Sequence, residues 1–386
     1  MKTLRGKMIG VFVGTILIGS LLTVRAARQQ TATTQIVTAA NAFLSTLDTS
    51  QRQKVLYAFD DQDQRKRWSN LPTTMVLRGG IALKDMTPAQ QTAAMALVAA
   101  ALSKRGFEKV QEIMQGDEVN KLTDTGPGRG NGGRPPGANR GGPPPDGNGS
   151  NPPPFANGRG RGPGGGGAMF GKDLYYISIL GTPSEKDPWI LQFGGHHLGL
   201  NVTIAGNRGV LTPTLTGAQP ALYTNNGKTV RPLGQESDKA LALLNALSDD
   251  QRKQAILSYQ VADLVLGPGQ DGKTIQPEGL KASAMNDQQR AMLLDVMSEW
   301  ADIINERDAA TRMTQLKSEI NESWFAWSGP TTAVPGKNIT AYYRIQGPHV
   351  VIEYAPQNLG GDLSMHVHTM YRDPTNDYGN AFLAAK

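Results

Sequence analysis

Residues 189–204 read WILQFGGHHLGLNVTI, and this stretch decides the fold class. Aromatic and β-branched residues recur at 189–193 and again at 197–204, with Gly194-Gly195 between the two runs. Runs of this composition, bounded by glycine, are typical of β-strands. The stretch therefore predicts two consecutive strands and places a pair of adjacent histidines at their junction.

Similar strand-like runs surround this stretch and recur near the end of the chain. The first set comprises residues 174–180, 189–193, 197–204 and 209–212, and the second comprises residues 340–345, 349–354 and 365–371. Tyr175-Tyr176-Ile177 opens the first set, and Tyr342-Tyr343-Arg344 opens the second. The aromatic run at 324–329 is predicted to pack in the core beside the second set. The chain therefore predicts two groups of antiparallel strands.

A helix-start signature occurs twice before each group of strands. Each copy has an apolar residue, then Asp, Thr, Ser or Asn, and then Gln three positions further on, which is a capping-box pattern. The four copies begin at Leu47, Met86, Leu247 and Met285. Pro88 takes the first helical position of the second copy, where its missing N–H is not needed. The signatures predict one pair of helices before each set of strands.

The order of these elements predicts an α+β fold made of a duplicated unit, a capped helix pair followed by antiparallel strands. Residues 33–124 form the helical part of the first unit, residues 169–235 form its strands, and residues 236–386 form the second unit. Residues 125–168 are mostly Gly, Pro, Asn and Arg. They cannot bury enough apolar surface to offset their chain entropy, so we predict a disordered insertion. One compact globular domain is expected overall.

The N-terminus indicates export from the cytoplasm. Basic residues precede a largely apolar run from Met8 to Val24, and Val24-Arg25-Ala26 offers a cleavage site. Residues 1–26 are therefore predicted to be a signal peptide, with an uncleaved N-terminal anchor as the alternative. The expected location is extracytoplasmic, periplasmic or secreted, with membrane contact only through an uncleaved leader. The chain has no cysteine, which excludes disulfides and cysteine-ligated metals.

The net charge of +6 does not indicate a nucleic-acid partner. Residues 1–28 carry +5 and residues 125–168 carry +4, which leaves −3 for the rest of the chain. The part predicted to fold is therefore mildly acidic. Binding to nucleic acid is not expected.

The five histidines lie in or beside the strand-like runs. His366 and His368 share one strand face, as do His349 and Glu353, because side chains alternate along a strand. The adjacent pair at 196–197 would point to opposite faces, so only one member, His197, is taken as a candidate. Imidazole is the commonest metal ligand. The pattern predicts one polar site assembled from distant parts of the chain.

In this interpretation His197, His349, His366 and His368 are metal ligands, and Glu353 is a ligand or a general base. Zinc, copper and iron fit such a set about equally, so a divalent transition metal is the expected cofactor. An open coordination position would make the site catalytic. Two alternatives remain open: a metal-free polar cleft that binds a substrate, and histidines with unrelated structural roles.

The segment that follows the last predicted strand reads YRDPTNDYG at residues 371–379. Asp-Pro and Asn-Asp are turn formers, so one interpretation is a strand that ends in a tight turn. In the functional interpretation Arg372 binds an anionic substrate group, and Asp373 or Asp377 orients a histidine. Arg372 and Asp373 therefore join Glu353 as candidate catalytic residues.

Residues 267–274, GPGQDGKT, match the pattern of a phosphate-binding P-loop but lack its context. A P-loop opens a helix at its Lys and Thr, whereas Pro277 and Gly279 oppose a helix here. A nucleotide is therefore not expected. The segment is predicted to be a Gly-rich loop at the rim of the site, with Asp271 and Glu278 as its acidic groups.

Three motifs together resemble a family of uncharacterised secreted bacterial proteins, the domain of unknown function numbered thirty-five hundred. They are residues 193–198 (FGGHHL) with Asn201, residues 267–272 (GPGQDG) with 277–279 (PEG), and residues 366–368 (HVH) with 371–373 (YRD). The resemblance covers most of residues 36–386 apart from the insertion. It implies a secreted or envelope-associated protein and brings no established activity with it.

The expected function is that of an extracytoplasmic, metal-dependent enzyme acting on a small molecule or a polymer. Hydrolysis is slightly favoured over redox chemistry, because it needs no second substrate other than water. The alternatives are a non-catalytic ligand-binding protein of the cell envelope and a structural envelope protein.

Overall fold

Both α-helices and β-strands make up the computed structural model, which describes residues 31–123, 169–358 and 361–382. The mixture confirms the predicted α+β class, and from Thr31 onward the chain forms one unit. The predicted leader (1–26) and the predicted insertion (125–168) lie outside the described residues and stay predictions. Within the described residues no helix is long and apolar enough to cross a membrane.

Nine α-helices occur in the described residues, and predicted capping boxes begin four of them. The helices are α1 (Ala32–Ser45), α2 (Thr49–Val55), α3 (Gln62–Arg65), α4 (Pro88–Ala101), α5 (Lys104–Thr123), α6 (Gly234–Ala246), α7 (Asp249–Ala255), α8 (Asp287–Ala301) and α9 (Glu306–Ser318). Capping boxes begin α2, α4, α7 and α8. In each box the N-cap side chain and the Gln three residues later accept hydrogen bonds from each other's backbone N–H, which confirms the four predicted helix starts.

The capping glutamines also join the helices in pairs. Gln51 and Gln90 exchange side-chain hydrogen bonds of 3.3 and 2.8 Å, which connects the starts of α2 and α4. Gln251 and Gln289 make the corresponding bonds, 3.1 and 2.9 Å long, between α7 and α8. The same contact thus occurs in both halves of the chain, while duplication of the whole unit stays a prediction.

Every predicted strand run overlaps a strand, and the described residues contain seven further strands that the sequence analysis did not predict. The strands are β1 (Leu56–Tyr57), β2 (Ile81–Ala82), β3 (Tyr176–Leu180), β4 (Trp189–Gly195), β5 (Leu198–Ala205), β6 (Arg208–Val210), β7 (Thr214–Ala218), β8 (Tyr223–Asn225), β9 (Lys228–Val230), β10 (Leu280–Lys281), β11 (Trp324–Ser328), β12 (Tyr342–Gly347), β13 (Val350–Pro356) and β14 (Val367–Arg372). The aromatic run at 324–329 forms β11, and its Phe325 and Trp327 are buried in the core as predicted.

Twelve of the strands form one sheet in the order β1-β3-β4-β5-β7-β14-β13-β12-β11-β10, with β2 beside β3 and β6 beside β5. β1 and β3 are parallel, and the other pairs are antiparallel. β8 and β9 form a separate hairpin. At the centre of the sheet β7 pairs with β14, so that Thr216 lies opposite Thr369. This pairing brings strands from the two halves of the chain together.

The two faces of β14 contact different parts of the chain. Thr369 faces the helices, where its hydroxyl accepts a hydrogen bond from Trp300 of α8. Met370 faces the opposite way and packs with Trp68. Because side chains alternate along a strand, His368 and Arg372 share the face of Met370. The main aromatic core, with Tyr343 stacked between Trp327 and Tyr354, is a separate cluster from that of Met370.

Two largely irregular segments cover the face of β14 that carries His368 and Arg372. We name residues 58–80 the first covering segment and residues 257–279 the second covering segment. Trp68 of the first and Leu264 of the second both pack in the cluster that contains Met370. These two segments determine what surrounds the histidines.

Candidate functional site

Three of the four predicted metal ligands converge at one point beneath the covering segments. The Nε2 atom of His366 lies 2.9 Å from Nε2 of His197 and 3.1 Å from Nε2 of His368. The three side chains form a group that could hold a metal ion. All three residues are buried: His197 is 1% exposed, His366 is 4% exposed and His368 is 5% exposed. We name these three residues the histidine centre.

The strand pattern accounts for two members of the histidine centre. His366 directly precedes β14 and His368 is its second residue. Residues two apart on an extended chain point the same way, so both rings reach the covered face as predicted. The sequence therefore determines this pair directly.

His197 reaches the centre through a turn rather than through a strand. His196 and His197 form the turn between β4 and β5, and His197 has a φ of 60°. This corrects the expectation that the pair begins a strand and points to opposite faces. Space for the His197 ring depends on Gly217 of β7, because a Cβ there would lie 3.1 Å from His197 Cδ2 and 2.9 Å from the Val367 carbonyl oxygen.

Hydrogen bonds alone cannot satisfy the Nε2 atoms of the histidine centre. A neutral imidazole nitrogen carries either one proton or one lone pair. Nε2 of His366 has two close nitrogen neighbours, but it can form a full hydrogen bond with only one of them. Zinc bonds of about 2.0–2.1 Å place tetrahedral nitrogen ligands roughly 3.3 Å apart, which is near the observed spacing.

Burial favours the neutral form that a metal ligand needs. Burial lowers the pKa of His197 well below its usual range, and the neighbouring histidines lower it further. Burial also lowers the pKa of His368, and the nearby Asp263 opposes this shift. Because metal binding requires an unprotonated imidazole nitrogen, the surroundings keep both rings in the binding form.

Both covering segments contribute a polar group to His368. Asn70 Nδ2 lies 3.1 Å and Asp263 Oδ1 lies 3.9 Å from His368 Nδ1. Burial raises the pKa of Asp263, but its contacts with His368 and the Leu264 N–H outweigh burial and hold the pKa below its usual range. In metal-bound histidines the N–H of the second ring nitrogen commonly donates a hydrogen bond to such a carboxylate or amide oxygen. With its amide oxygen turned toward the ring, Asn70 would likewise accept a hydrogen bond from His368 Nδ1–H.

The sequence analysis did not predict a buried hydrogen-bonded group beside the histidine centre, formed by Asp117, His196 and Tyr175. His196 Nδ1 lies 2.7 Å from Asp117 Oδ1, and the Tyr175 hydroxyl lies 2.9 Å from Asp117 Oδ2. The rings of His196 and His197 pack with their centroids 3.6 Å apart. Burial raises the pKa of Asp117, and His196 opposes the shift. Asp117 lies on α5, which carries no pattern that links it to a histidine so distant in sequence.

Asp117, His196 and His197 also lie close enough to form a second potential metal-binding group. The 2.7 Å contact already uses Asp117 Oδ1 and His196 Nδ1 as hydrogen-bond partners. The packed rings of His196 and His197 are tilted by 34° relative to each other. We therefore interpret Asp117 and His196 as a support that fixes the ring of His197.

His349, the fourth predicted ligand, lies outside the histidine centre. Its side chain is 38% exposed, and its Nδ1 lies 2.9 Å from Glu319 Oε1. Its backbone carbonyl accepts a hydrogen bond from Arg312 of α9. His349 lies in the turn before β13 and borders a cavity together with Tyr371 of β14. Because side chains alternate along β14, Tyr371 and His368 lie on opposite faces of the sheet. The expectation that His349 joins the other three is therefore corrected.

Glu353 is an anchor of the second covering segment and does not reach the histidines. Its two carboxylate oxygens accept hydrogen bonds of 2.7 Å from the N–H groups of Val265 and Leu266. Tyr342 donates a further 2.7 Å hydrogen bond. Burial raises the pKa of Glu353, and these three donors oppose the shift. These three donors occupy both oxygens of Glu353, and the role of metal ligand or general base that the sequence suggested stays a prediction.

Arg372 also holds the second covering segment. Its guanidinium donates to the carbonyl oxygens of Leu266 and Gly267 and to Asp377 Oδ2, at 2.7, 3.0 and 2.8 Å. Asp271 lies 3.3 Å away and completes its surroundings. These contacts occupy the N–H groups that an anionic substrate would need, and the predicted binding of such a substrate by Arg372 stays a prediction.

Asp373 and Asp377 orient arginines rather than histidines. Asp373 Oδ2 lies 3.1 Å from Arg312, and its other oxygen accepts from Thr375. Asp377 pairs with Arg372, and burial raises the pKa of Asp377 to about 6 despite that partner. The predicted strand followed by a tight turn is the interpretation that the geometry supports.

The Gly-rich segment at 267–274 is part of the second covering segment and is not followed by a helix at residues 275–279. Asp271 points inward, where it accepts hydrogen bonds from Tyr378 and Arg372. Glu278 pairs with Arg344 and accepts from Tyr259. The segment thus lacks the strand-loop-helix context of a P-loop.

No curated protein and no solved structure matches the chain. The family described as "Protein of unknown function (DUF3500)" matches it over residues 29–380, which includes the histidine centre, both covering segments and the whole sheet. This match agrees with the resemblance carried by the FGGHHL, GPGQDG and HVH motifs. The chain therefore belongs to the DUF3500 family.

Proposed function

We propose that this protein is an extracytoplasmic metal-dependent enzyme whose metal ion is held by His197, His366 and His368. The observation that carries the proposal is the convergence of three Nε2 atoms, with spacings of 2.9 and 3.1 Å, in a buried pocket of the sheet. Three histidine ligands with a fourth position left open are typical of catalytic zinc sites. Copper and iron also bind such a set.

Several surrounding contacts support the ligand set. Asn70 and Asp263 meet His368 Nδ1, so that its other nitrogen is directed toward the centre. Asp117 and Tyr175 fix His196, whose ring packs on His197. Groups of this kind orient metal ligands and raise metal affinity. The three proposed ligands are all imidazoles, and the nearby carboxylates Asp117 and Asp263 contact histidine nitrogens.

Hydrolysis is the reaction that we favour for this centre. A divalent ion held by three imidazoles acts as a Lewis acid and activates water near neutral pH. The chain's own residues would exclude bulk water through the two covering segments and position the ligands through Asp263 and Asn70. Access to the centre would pass these segments, where Leu71 and Val265 are 40 and 39% exposed.

The metal content of tag-free protein tests the ligand assignment. We expect about one equivalent of transition metal after reconstitution and less than about 0.2 equivalents in His197→Ala, His366→Ala and His368→Ala. His349→Ala is the matched control, since it removes the same side chain from outside the centre and should keep the metal. Unchanged metal content in the three centre variants would sink the proposal.

Turnover tests the catalytic part of the proposal separately. The metal-loaded protein would be assayed against carboxylate and phosphate esters, with His366→Ala and chelator-treated protein as negative controls. Hydrolysis that disappears in both controls and persists in His349→Ala supports the enzyme. Metal binding without turnover of any ester would favour the non-catalytic binding protein instead.

The proposed extracytoplasmic location rests on the leader-like N-terminal sequence. N-terminal sequencing of protein recovered from the periplasm or the medium tests it. We expect a mature chain that starts at or close to Ala27, after cleavage near Ala26. Recovery of the intact chain from the cytosol alone would contradict export.

We also propose that the fold contains a duplicated helix-and-strand unit. The reciprocal bonds of Gln51 with Gln90, and of Gln251 with Gln289, support it. Sequence profiles built separately from the two halves of family members should match each other if a duplication occurred. Profiles that match no better than shuffled sequences would contradict it.

A further inference from the structure

A cavity of about 370 Å³ lies on the other side of β14 from the histidine centre. Its lining comes from β6, α9 and the residues that follow β14. Tyr371 faces this cavity, whereas its neighbour Arg372 contacts the second covering segment on the opposite face. The volume lies within the range of about 300–1,000 Å³ that is typical of small-molecule sites. The cavity is therefore separate from the proposed metal site.

The acidic groups of the cavity are already paired. Asp308 accepts from Arg307 and Asn305, and its Oδ1 lies 2.8 Å from the Arg307 guanidinium. Asp373 pairs with Arg312 at 3.1 Å. Neither carboxylate needs a charge from a ligand.

Arg208 is the exception among the charged residues of the lining. Within the part of the chain that the structure describes, no carboxylate lies within 4.0 Å of its guanidinium. The guanidinium instead lies 4.4 Å from the centroid of the Phe382 ring. Thr212 also lines the cavity, and its buried hydroxyl has no hydrogen-bond partner among the described residues. An unpaired cation and a free hydroxyl thus border one space.

The remaining wall is largely apolar. Val210, Leu211, Ala301 and Ile304 lie on it together with Phe382. Apolar walls with a few placed polar groups are typical of small-ligand sites, in which the polar groups fix the orientation. We propose that this cavity binds a small organic acid. Its carboxylate would pair with Arg208, and its apolar or aromatic body would lie against Ile304 and Phe382.

Calorimetry on the full-length protein with benzoate and hexanoate tests the proposal, with benzamide and hexanamide as neutral matches. We expect saturable binding of at least one acid with a Kd below about 1 mM. The corresponding amide should bind roughly ten- to hundredfold more weakly, because it lacks the charge-assisted hydrogen bonds to the guanidinium. The Arg208→Gln variant should bind acid and amide alike.

Arg67→Gln is the matched control. It removes the same charge from an exposed arginine of the first covering segment, and it should bind the acids as the wild type does. Thermal melting would show that both variants fold. Equal affinity for acid and amide, no saturable binding of either acid up to about 10 mM, or the same loss in both variants would overturn the proposal. Metal content is expected to be unchanged in Arg208→Gln, so the outcome is independent of the proposed metal site.

Discussion

Two groups of polar side chains lie on the same face of β14 and differ in how completely their atoms are paired. The Arg372 guanidinium has carbonyl and carboxylate partners on several sides. Around His368, by contrast, three Nε2 atoms face one another, and the buried Nδ1 of His197 has no hydrogen-bond partner among the described residues. Complete pairing indicates a structural role, whereas converging acceptors indicate a place for a cation.

The comparison shows why residue type alone does not determine the role of a buried polar side chain. Arg372 and His368 both belong to types that are common in functional sites, and both are buried. What separates them is the set of partners that the second covering segment supplies. That segment gives Arg372 two carbonyl oxygens but gives His368 only the distant Asp263 carboxylate.

Arg372→Ala should have the largest effect, and the effect should be on stability. The substitution leaves Asp377 and Asp271 without their cation and releases two carbonyls of the second covering segment. We expect the free energy of unfolding to fall by about 3–5 kcal/mol, measured by urea denaturation. Arg67→Ala, at an exposed position, should change it by less than about 0.5 kcal/mol. A loss below about 1 kcal/mol in Arg372→Ala would show that the pairing around it is not structural.

The pH dependence of stability should sharpen the assignment of Asp377. Its pKa is raised to about 6 in the folded protein, above the unfolded value of about 3.9. The folded state therefore binds this proton more tightly, and the resulting stability is present at low pH and is lost as pH rises through about 6. We expect the free energy of unfolding to fall by roughly 2 kcal/mol between about pH 4 and pH 6, and we expect this loss to be absent from Asp377→Asn. Parallel pH curves for the two proteins would contradict this.

Gly217→Ala should disturb the histidine centre without removing a ligand. The added Cβ would approach His197 and the Val367 carbonyl oxygen within 3.2 Å, so the His197 ring must move. We expect stability to fall by about 1–3 kcal/mol and metal affinity to fall more than about tenfold. Gly116→Ala on α5 is the control, because its nearest contact of 3.6 Å is ordinary. Metal affinity that matches the wild type in Gly217→Ala would mean that His197 is not placed by this contact.

Asp263→Asn should have the smallest effect, confined to metal affinity. The variant keeps the shape of the side chain and removes the charge that faces His368 Nδ1. We expect about a ten- to hundredfold weaker metal Kd, measured by competition with a chelator, and an unchanged melting temperature. Asp250→Asn, on the exposed surface of α7, should have no effect on the Kd. If both variants bind metal equally well, Asp263 does not orient His368.

Local patterns made much of the fold predictable. The four capping boxes gave correct helix starts, since a cap depends only on residues within one turn. His366 and His368 were correctly paired, since strand alternation is equally local. β7 was not predicted because its run TLTGA contains Gly and Ala and lacks valine, isoleucine and aromatic residues, although it lies at the centre of the sheet.

The rest of the site depends on contacts between distant segments. His197 reaches the centre because its backbone adopts a left-handed turn and because Gly217 leaves space for its ring. The alternation of residues along a single strand predicts neither feature. His349 lies in phase with Glu353 along the chain, yet Glu319 is its partner. Asp117 and Asp263 become neighbours of histidines only through packing of α5 and of the second covering segment.

X-ray absorption spectroscopy of the metal-loaded, tag-free protein tests the central claim most directly. The account predicts a first shell that contains three imidazole nitrogens at about 2.0–2.1 Å if the metal is zinc. It also predicts that the imidazole signal changes in His366→Ala and stays the same in His349→Ala. A shell of oxygen ligands without imidazole, or a signal that changes in His349→Ala alone, would contradict the histidine centre as the metal site.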